Sequence, residues 1–204
     1  MAAPARTHRT QQERSEQTRE ALLDATIECL VSLGYARTTV QEICARAGVS
    51  RGAQQHHFTT KAELMTAALQ HLFGRLITQV TEAARSLPPG PERVSYGIDL
   101  LWEAYSGTLS TAAVELWVAA RTDEELRESL RPVDRALGHA TLSLYREAAG
   151  DLPESEVETL LLLSVNLVRG LALDAMMGGD ETRRKRLLEE WKATVLERYL
   201  AVRS

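Results

Sequence analysis

Arg51, Gln54 and Gln55 stand in a short segment, Ser50-Arg51-Gly52-Ala53-Gln54-Gln55-His56-His57, with no large apolar side chain until Phe58. Arginine can donate two hydrogen bonds to guanine O6 and N7, and glutamine can make a two-point contact with adenine N6 and N7. Gly52 and Ala53 would let a backbone approach a groove closely, and Ser50 and His56 flank the same surface. No acid occurs between Glu42 and Glu63, whereas Arg46, Arg51 and Lys61 fall inside that window. An acid-free basic window favours an anionic partner. Thr39 and Lys61 fall at expected helix starts, where free backbone N–H groups and the helix dipole already favour phosphate. The alternative reading of these residues is an ordinary surface turn between polar helices.

The elements that would position them are all helical. Apolar residues recur at helical spacing along the chain, and no sustained alternation marks a strand. A first helix is expected over residues 12–33, ending at Gly34. Thr39-Val40-Gln41-Glu42 fits a capping box for a short helix ending at Gly48. Ser50 caps a second short helix reaching Phe58, and Thr60-Lys61-Ala62-Glu63 opens a long one to about Ser86. Helix, tight turn, helix is the helix-turn-helix arrangement, whose second helix enters a major groove. Pro88-Pro89-Gly90-Pro91 breaks the pattern. Further helices are expected over 92–107, 110–121, 123–130, 132–149, 153–177 and 181–202, giving an all-α chain of about nine to ten helices.

Composition narrows the function classes. The chain has 204 residues, 44% hydrophobic and 25% charged, as a soluble globular protein does. The first 72 residues carry eight basic and seven acidic side chains, the remainder sixteen and twenty-one. The apolar run Leu160–Val165 is too short to span a bilayer and the N-terminus has no apolar signal region, so a cytoplasmic protein with no membrane partner is expected. Cys29 and Cys44 lack CxxC spacing and suit a reducing compartment. They are either a redox pair on touching helices or, as buried free thiols generally are, small hydrophobes. Adjacent His56 and His57 point about 100° apart on a helix and make a poor chelate, so no metal is expected. GxSxG, P-loop, GxGxxG and HExxH motifs are absent, and no cofactor or enzymatic activity is expected. The Glu154, Glu156 and Glu158 triple follows Pro153 at a helix start, where acids complement the dipole. Arg6 and Arg9 lie in an expected flexible basic arm, residues 1–11, which is either a solvated tail or a minor-groove contact.

The last two helices read as an interface between copies. Leu160, Leu163, Leu167 and Leu171 share one stripe, and Leu188, Trp191, Val195, Tyr199 and Val202 share another. Leu161, Val165 and Val168 make the penultimate helix apolar nearly all round, so it must be buried on several sides. Two such helices from each of two subunits would form a four-helix bundle. The alternative is a monomer that buries both faces internally.

Thr18 to Leu69 resembles the N-terminal domain of the TetR family of bacterial transcriptional regulators. The matching marks are Ala25, Gly34-Tyr35, Thr38-Thr39-Val40, Ile43, Ala47-Gly48-Val49-Ser50, Gly52, His57-Phe58, Lys61 and Leu64. The resemblance implies a helix-turn-helix DNA-binding domain over 12–59 and a ligand-binding and dimerisation domain over 60–204. It implies a homodimeric repressor, released from a palindromic double-stranded DNA operator by a small-molecule effector. The alternative is a helical dimeric interaction module that does not bind DNA. By position, Thr39 and Lys61 would contact phosphates, and Arg51, Ala53, Gln54, Gln55 and His56 would lie on the groove-facing helix. Where the family often has an apolar residue followed by tyrosine, this chain has Gln54-Gln55. The resemblance also implies an effector pocket among the middle helices, with Trp102, Tyr105, Trp117, Arg121, Asn166 and Arg169 as candidate lining.

Overall fold

The computed structural model describes residues 10–86, 90–150 and 152–201. Among them the chain forms nine helices and no strand: α1 (Gln11–Leu33), α2 (Val40–Ala47), α3 (Arg51–His57), α4 (Lys61–Arg85), α5 (Pro91–Ser106), α6 (Thr108–Ala120), α7 (Glu124–Ala149), α8 (Glu154–Met176) and α9 (Glu181–Ala201). Arg6, Arg9, Pro88, Pro89 and Val202 lie outside the described residues.

Side-chain caps fix where the first four helices begin. Thr10 accepts from the Glu13 N–H while the Glu13 carboxylate accepts from the Thr10 N–H, closing a full capping box at α1. Thr39, Ser50 and Thr60 each accept from the backbone N–H three residues on. Glu42 turns to Arg46 rather than back to Thr39. Glu63 reaches beyond Thr60 to the N–H and hydroxyl of Thr59, and these bonds hold its carboxyl below the usual carboxylate range. Gly48 ends α2 at φ +65°, a left-handed conformation that glycine adopts without a Cβ penalty.

One expected break is absent. Segments 123–130 and 132–149 are a single helix, α7, with Pro132 inside it. An internal proline costs a helix about 3 kcal/mol. Leu126, Leu130, Val133 and Leu137 are all buried on one face spanning Pro132, and burying each contributes about 1.5–3 kcal/mol. The continuous face outweighs the proline, whose ring lies on the exposed side.

Two cores result. The first joins α1, α2 and the start of α4 to α6 and α7, through Leu22, Leu30, Ile43, Phe58, Leu64, Met65, Leu116 and Leu126. The second joins α5, α8 and α9 with the end of α7, through Ile98, Tyr145, Leu160, Val168, Val195 and Tyr199. Trp117 packs against both. The turn after α1 is tied to α6 and α7 by polar contacts. The Tyr35 N–H donates to Glu115 Oε2 at 2.8 Å, and the Tyr35 hydroxyl donates to Asp123 Oδ2 at 2.9 Å. Asp123 also caps α7 by accepting from the Leu126 N–H at 3.0 Å. Burial, then the bond to Asp123, pushes the Tyr35 hydroxyl up to about 12. The Leu126 N–H and the Tyr35 hydroxyl hold Asp123 below its ordinary range.

Asp123→Ala removes a cap and orphans the Tyr35 hydroxyl, so it should cost about 1–3 kcal/mol in urea unfolding. Because the folded carboxyl titrates below its unfolded value, its contribution is present above the unfolded pKa, about 4, and disappears as pH falls through the folded one. The stability gap between wild type and Asp123→Ala should therefore narrow below about pH 4.

Candidate functional site

The acid-free window folds into α2, a tight turn and α3. With only seven residues, α3 is too short to persist without tertiary support. That support is supplied by its inner side. Phe58 is 3% exposed, and the Arg19 guanidinium lies 5.6 Å from its ring centre. Gln54 is 5% exposed, and its side-chain amide donates to the Phe58 carbonyl at 2.9 Å. Gln54, expected on the groove-facing side, is thus an interior residue. It satisfies a backbone acceptor at the helix end and occupies the position where the resembled family often carries an apolar residue.

With Gln54 inside, the outward side is determined. Ser50, Arg51, Gly52, Gln55 and His56 are exposed, and Ala53 is half-buried. Arg51 and Gln55 stand one turn apart, as do Gly52 and His56. The His57 ring is half-buried and meets His56 edge-on at 5.5 Å. Burial first, then the charges of His56 and Arg19, lowers its pKa. Among the described residues no group of three or more His, Cys, Asp or Glu side chains is arranged to hold a metal ion.

Thr39 is exposed at the start of α2. Its oxygen accepts from the Glu42 N–H at 3.1 Å, which leaves the hydroxyl proton free to donate outward. Lys61, expected to contact phosphate, is half-buried at the start of α4. Its ammonium donates to the Tyr35 carbonyl at 3.3 Å and lies 4.0 Å from the Tyr35 ring centre. Burial lowers its pKa, opposed by the nearby Asp123 carboxylate. Lys61 therefore braces the turn after α1, joining the start of α4 to the contacts with Glu115 and Asp123. Spacing gave no sign of that brace, because its partners lie 26 and 62 positions from Lys61 in the chain.

Cys29 and Cys44 are both buried, and desolvation raises both thiol pKa values, which keeps them protonated. That environment suits small hydrophobes rather than reactive thiolates.

The candidate effector residues divide. Tyr105, Trp117 and Arg169 come together: the Arg169 guanidinium lies 4.5 Å from the Trp117 ring centre and 5.5 Å from that of Tyr105. Trp102 is half-buried against the second core, and Arg121 is exposed at the end of α6. Asn166 is exposed, with its amide returned to the Leu162 carbonyl of its own helix, so it does not line the interior.

The expected dimer stripes also need correction. Leu160, Leu171, Leu188, Val195 and Tyr199 are buried within the subunit, none more than 8% exposed. Leu167 and Trp191 are half-buried, and the Trp191 indole donates to Ser164 at 2.8 Å. Of these residues only Leu163 is exposed. The outward apolar face of α8 is instead Leu162, Leu163 and Leu173, with Asn166 and Gly170 among them and Met177 following at its end. At about 100° per residue this face lies nearly opposite the interior face of Leu161, Ser164 and Val168. The expected stripe straddled the boundary between the two. By length and composition alone α8 is apolar enough to cross a membrane, but its inner half is core packed on α5 and α9.

Residues 22–68 match the sequence profile of the bacterial regulatory proteins of the tetR family. An HTH-type transcriptional regulator of Mycobacterium tuberculosis is 33% identical over 170 residues, covering 81% of this chain and 86% of that protein. The HTH-type transcriptional regulator CymR of Pseudomonas putida is 33% identical over 197 residues, covering 94% and 95%. The crystal structure of a transcriptional regulator from Rhodococcus sp. Rha1 superposes with a TM-score of 0.70 at 28% identity, covering 90% of this chain and 96% of that one. The chain belongs to the tetR family, whose members are DNA-binding transcriptional regulators and not enzymes.

Proposed function

We propose that the protein acts in the cytoplasm as a homodimeric repressor, released from a palindromic operator by a small-molecule effector. The observation that carries the proposal is the outward side of α3, where Arg51, Gln55 and His56 stand exposed while Gln54 and Phe58 anchor the helix from within. In this reading α3 lies in a major groove. Arg51 and Gln55 read base edges, and the free hydroxyl proton of Thr39 donates to phosphate. Gln55 stands where the family often has a tyrosine on phosphate and takes up base contact instead.

Dimerisation is supported by the outward face of α8. Leu162 is 54% exposed, Leu163 47% and Leu173 49% on one side of α8, and Met177, just beyond its end, is 82% exposed. An apolar patch of this kind on a soluble protein marks an interaction surface. Pairing it across a two-fold axis would set two copies of α3 one DNA turn, about 34–36 Å, apart or a multiple of that. An effector bound among α5, α6 and α8 would act on α3 through Glu115, Asp123 and Tyr35, which connect α6 and α7 to the turn before α2. It shifts binding only by its difference in affinity between the DNA-bound and released forms.

Two sets of measurements test the reading. With DNA from the gene's own promoter region, Arg51→Ala and Gln55→Ala should each weaken specific binding by about 1–3 kcal/mol, roughly 5- to 150-fold, and relax preference at one base position per half-site. Unchanged affinity and preference in both would remove α3 as the reading helix. Gln54→Ala should act through stability instead, lowering the unfolding midpoint before it alters sequence preference. In sedimentation velocity, Leu163→Glu/Leu173→Glu should yield a folded monomer with weakened operator binding. A dimer that survives this double substitution would place the interface elsewhere.

A further inference from the structure

Arg169 sits in surroundings that do not neutralise it. Its Nε is fully buried with no hydrogen-bond partner, and the donor contact of its Nη2, to the Tyr105 hydroxyl, is long at 3.4 Å. Among the described residues no carboxylate forms an ion pair with it, although the same helix carries Asp174, which pairs with Arg183 and Arg184. The Trp117 and Tyr105 rings attract the cation through their faces but accept none of the in-plane N–H groups. A partly buried guanidinium with vacant donors is expensive unless an anion completes it. A leucine or methionine would fill the same space without that cost.

The surroundings of Trp117 extend the observation. Its indole N–H donates to Asp134 at 3.0 Å, at the edge of an open cleft of about 240 Å³ between α6 and α7. Arg121, Arg127 and Arg131 line that cleft beside Trp117, with Ala120 and Leu130 as its apolar floor. Arg127 is paired with Glu124, whereas Arg121 and Arg131 form no ion pair among the described residues. Asp134, the cleft's acid, is engaged by Trp117. The cleft is therefore basic at its rim and apolar below, and Trp117 touches both it and Arg169.

We propose that the effector is an anion, a carboxylate carried on an apolar aromatic body, which enters over Arg121 and Arg131, displaces Trp117 from Asp134 and pairs with Arg169. The proposal rests on the ligand-responsive reading above and names the chemical class of its ligand. A carboxylate would accept two parallel N–H bonds from the guanidinium fork, including the orphaned Nε. Its body would stack on the Trp117 and Tyr105 rings that lie beside the guanidinium. Moving Trp117 moves α6 only two residues from Glu115, which holds the Tyr35 N–H, so the same event reaches the turn before α2.

The test uses the full-length protein without DNA, probed with benzoate and 1-naphthoate and with the uncharged amides of the same acids. Binding is followed by thermal shift and by tryptophan fluorescence. The acids should bind at least about tenfold more tightly than the amides, because only they satisfy the guanidinium. Arg169→Gln should abolish that preference and Arg169→Lys should retain part of it. The surface double variant Arg121→Gln/Arg131→Gln should weaken the acids about three- to tenfold, with a shallower salt dependence. Equal binding of acids and amides overturns the proposal. So does the absence of acid binding up to about 10 mM, or an acid preference that survives Arg169→Gln. Promoter-DNA release is measured separately. Acid binding that leaves DNA affinity unchanged would overturn the effector-release reading and leave the anion site standing.

Discussion

A seven-residue helix cannot hold its own shape in water, and the N-terminal helix-turn-helix of this protein follows from that constraint. α3 exists because Ser50 caps it, Phe58 anchors it in the first core and the Gln54 amide closes its C-terminal end. Those three fastenings define an inner side, and everything left over is outer. Arg51, Gln55 and His56 face outward because their neighbours on the helix are needed inside. A polar residue on the inner side is affordable only because its amide finds the Phe58 carbonyl; unpaired there, it would destabilise the head it anchors.

The same economy governs how the head is joined to the body. Ile43, Phe58 and Leu64 share a core with Leu116 and Leu126, but α2 and α3 pack on α1 and on each other, and it is α1 and α4 that pack on α6 and α7. Hydrophobic packing resists separation but is indifferent to small rotations. Direction comes from the polar contacts of Tyr35, whose N–H, ring, carbonyl and hydroxyl engage Glu115, Lys61 and Asp123 at once. One side chain and its peptide thus register three helices, and a shift in α6 or α7 is felt at the entry to α2.

Much of this was legible in the sequence, for local reasons. Thr39, Ser50, Thr60, Gly34 and Gly48 act within a turn of their own positions, so the ends of α1 to α4 could be read directly. The acid-free window was legible for the same reason. Direction in space was less legible. Gln54 and Gln55 are chemically identical, and only the packing of Phe58 separates the interior one from the exposed one. Pro132 is a helix breaker in isolation, and the buried face from Leu126 to Leu137 overrides it. Thr10 and Glu13 close a capping box that starts α1 at Gln11, one residue before the expected start. Lys61 has a helix-start position suited to phosphate, and its contact with Tyr35, distant in the chain, is not announced by spacing.

α8 shows why periodicity reaches a limit. A helix apolar on one side declares its orientation, whereas one apolar nearly all round does not. Leu160 and Leu163 are three residues apart in an unbroken apolar run, yet one is fully enclosed and the other is 47% exposed. The difference is imposed by α5 and α9, which cover Leu161, Ser164 and Val168 and leave the far side open. Arg169 lies at the margin of that open side and leans back onto Tyr105 and Trp117. A single helix therefore carries core residues, an uncovered apolar face and a caged cation. A ligand that neutralises Arg169 need not act only through α6: by drawing on α8 it also reaches the face through which two subunits would meet, so the spacing of the reading helices and the tilt of each head would respond to one binding event.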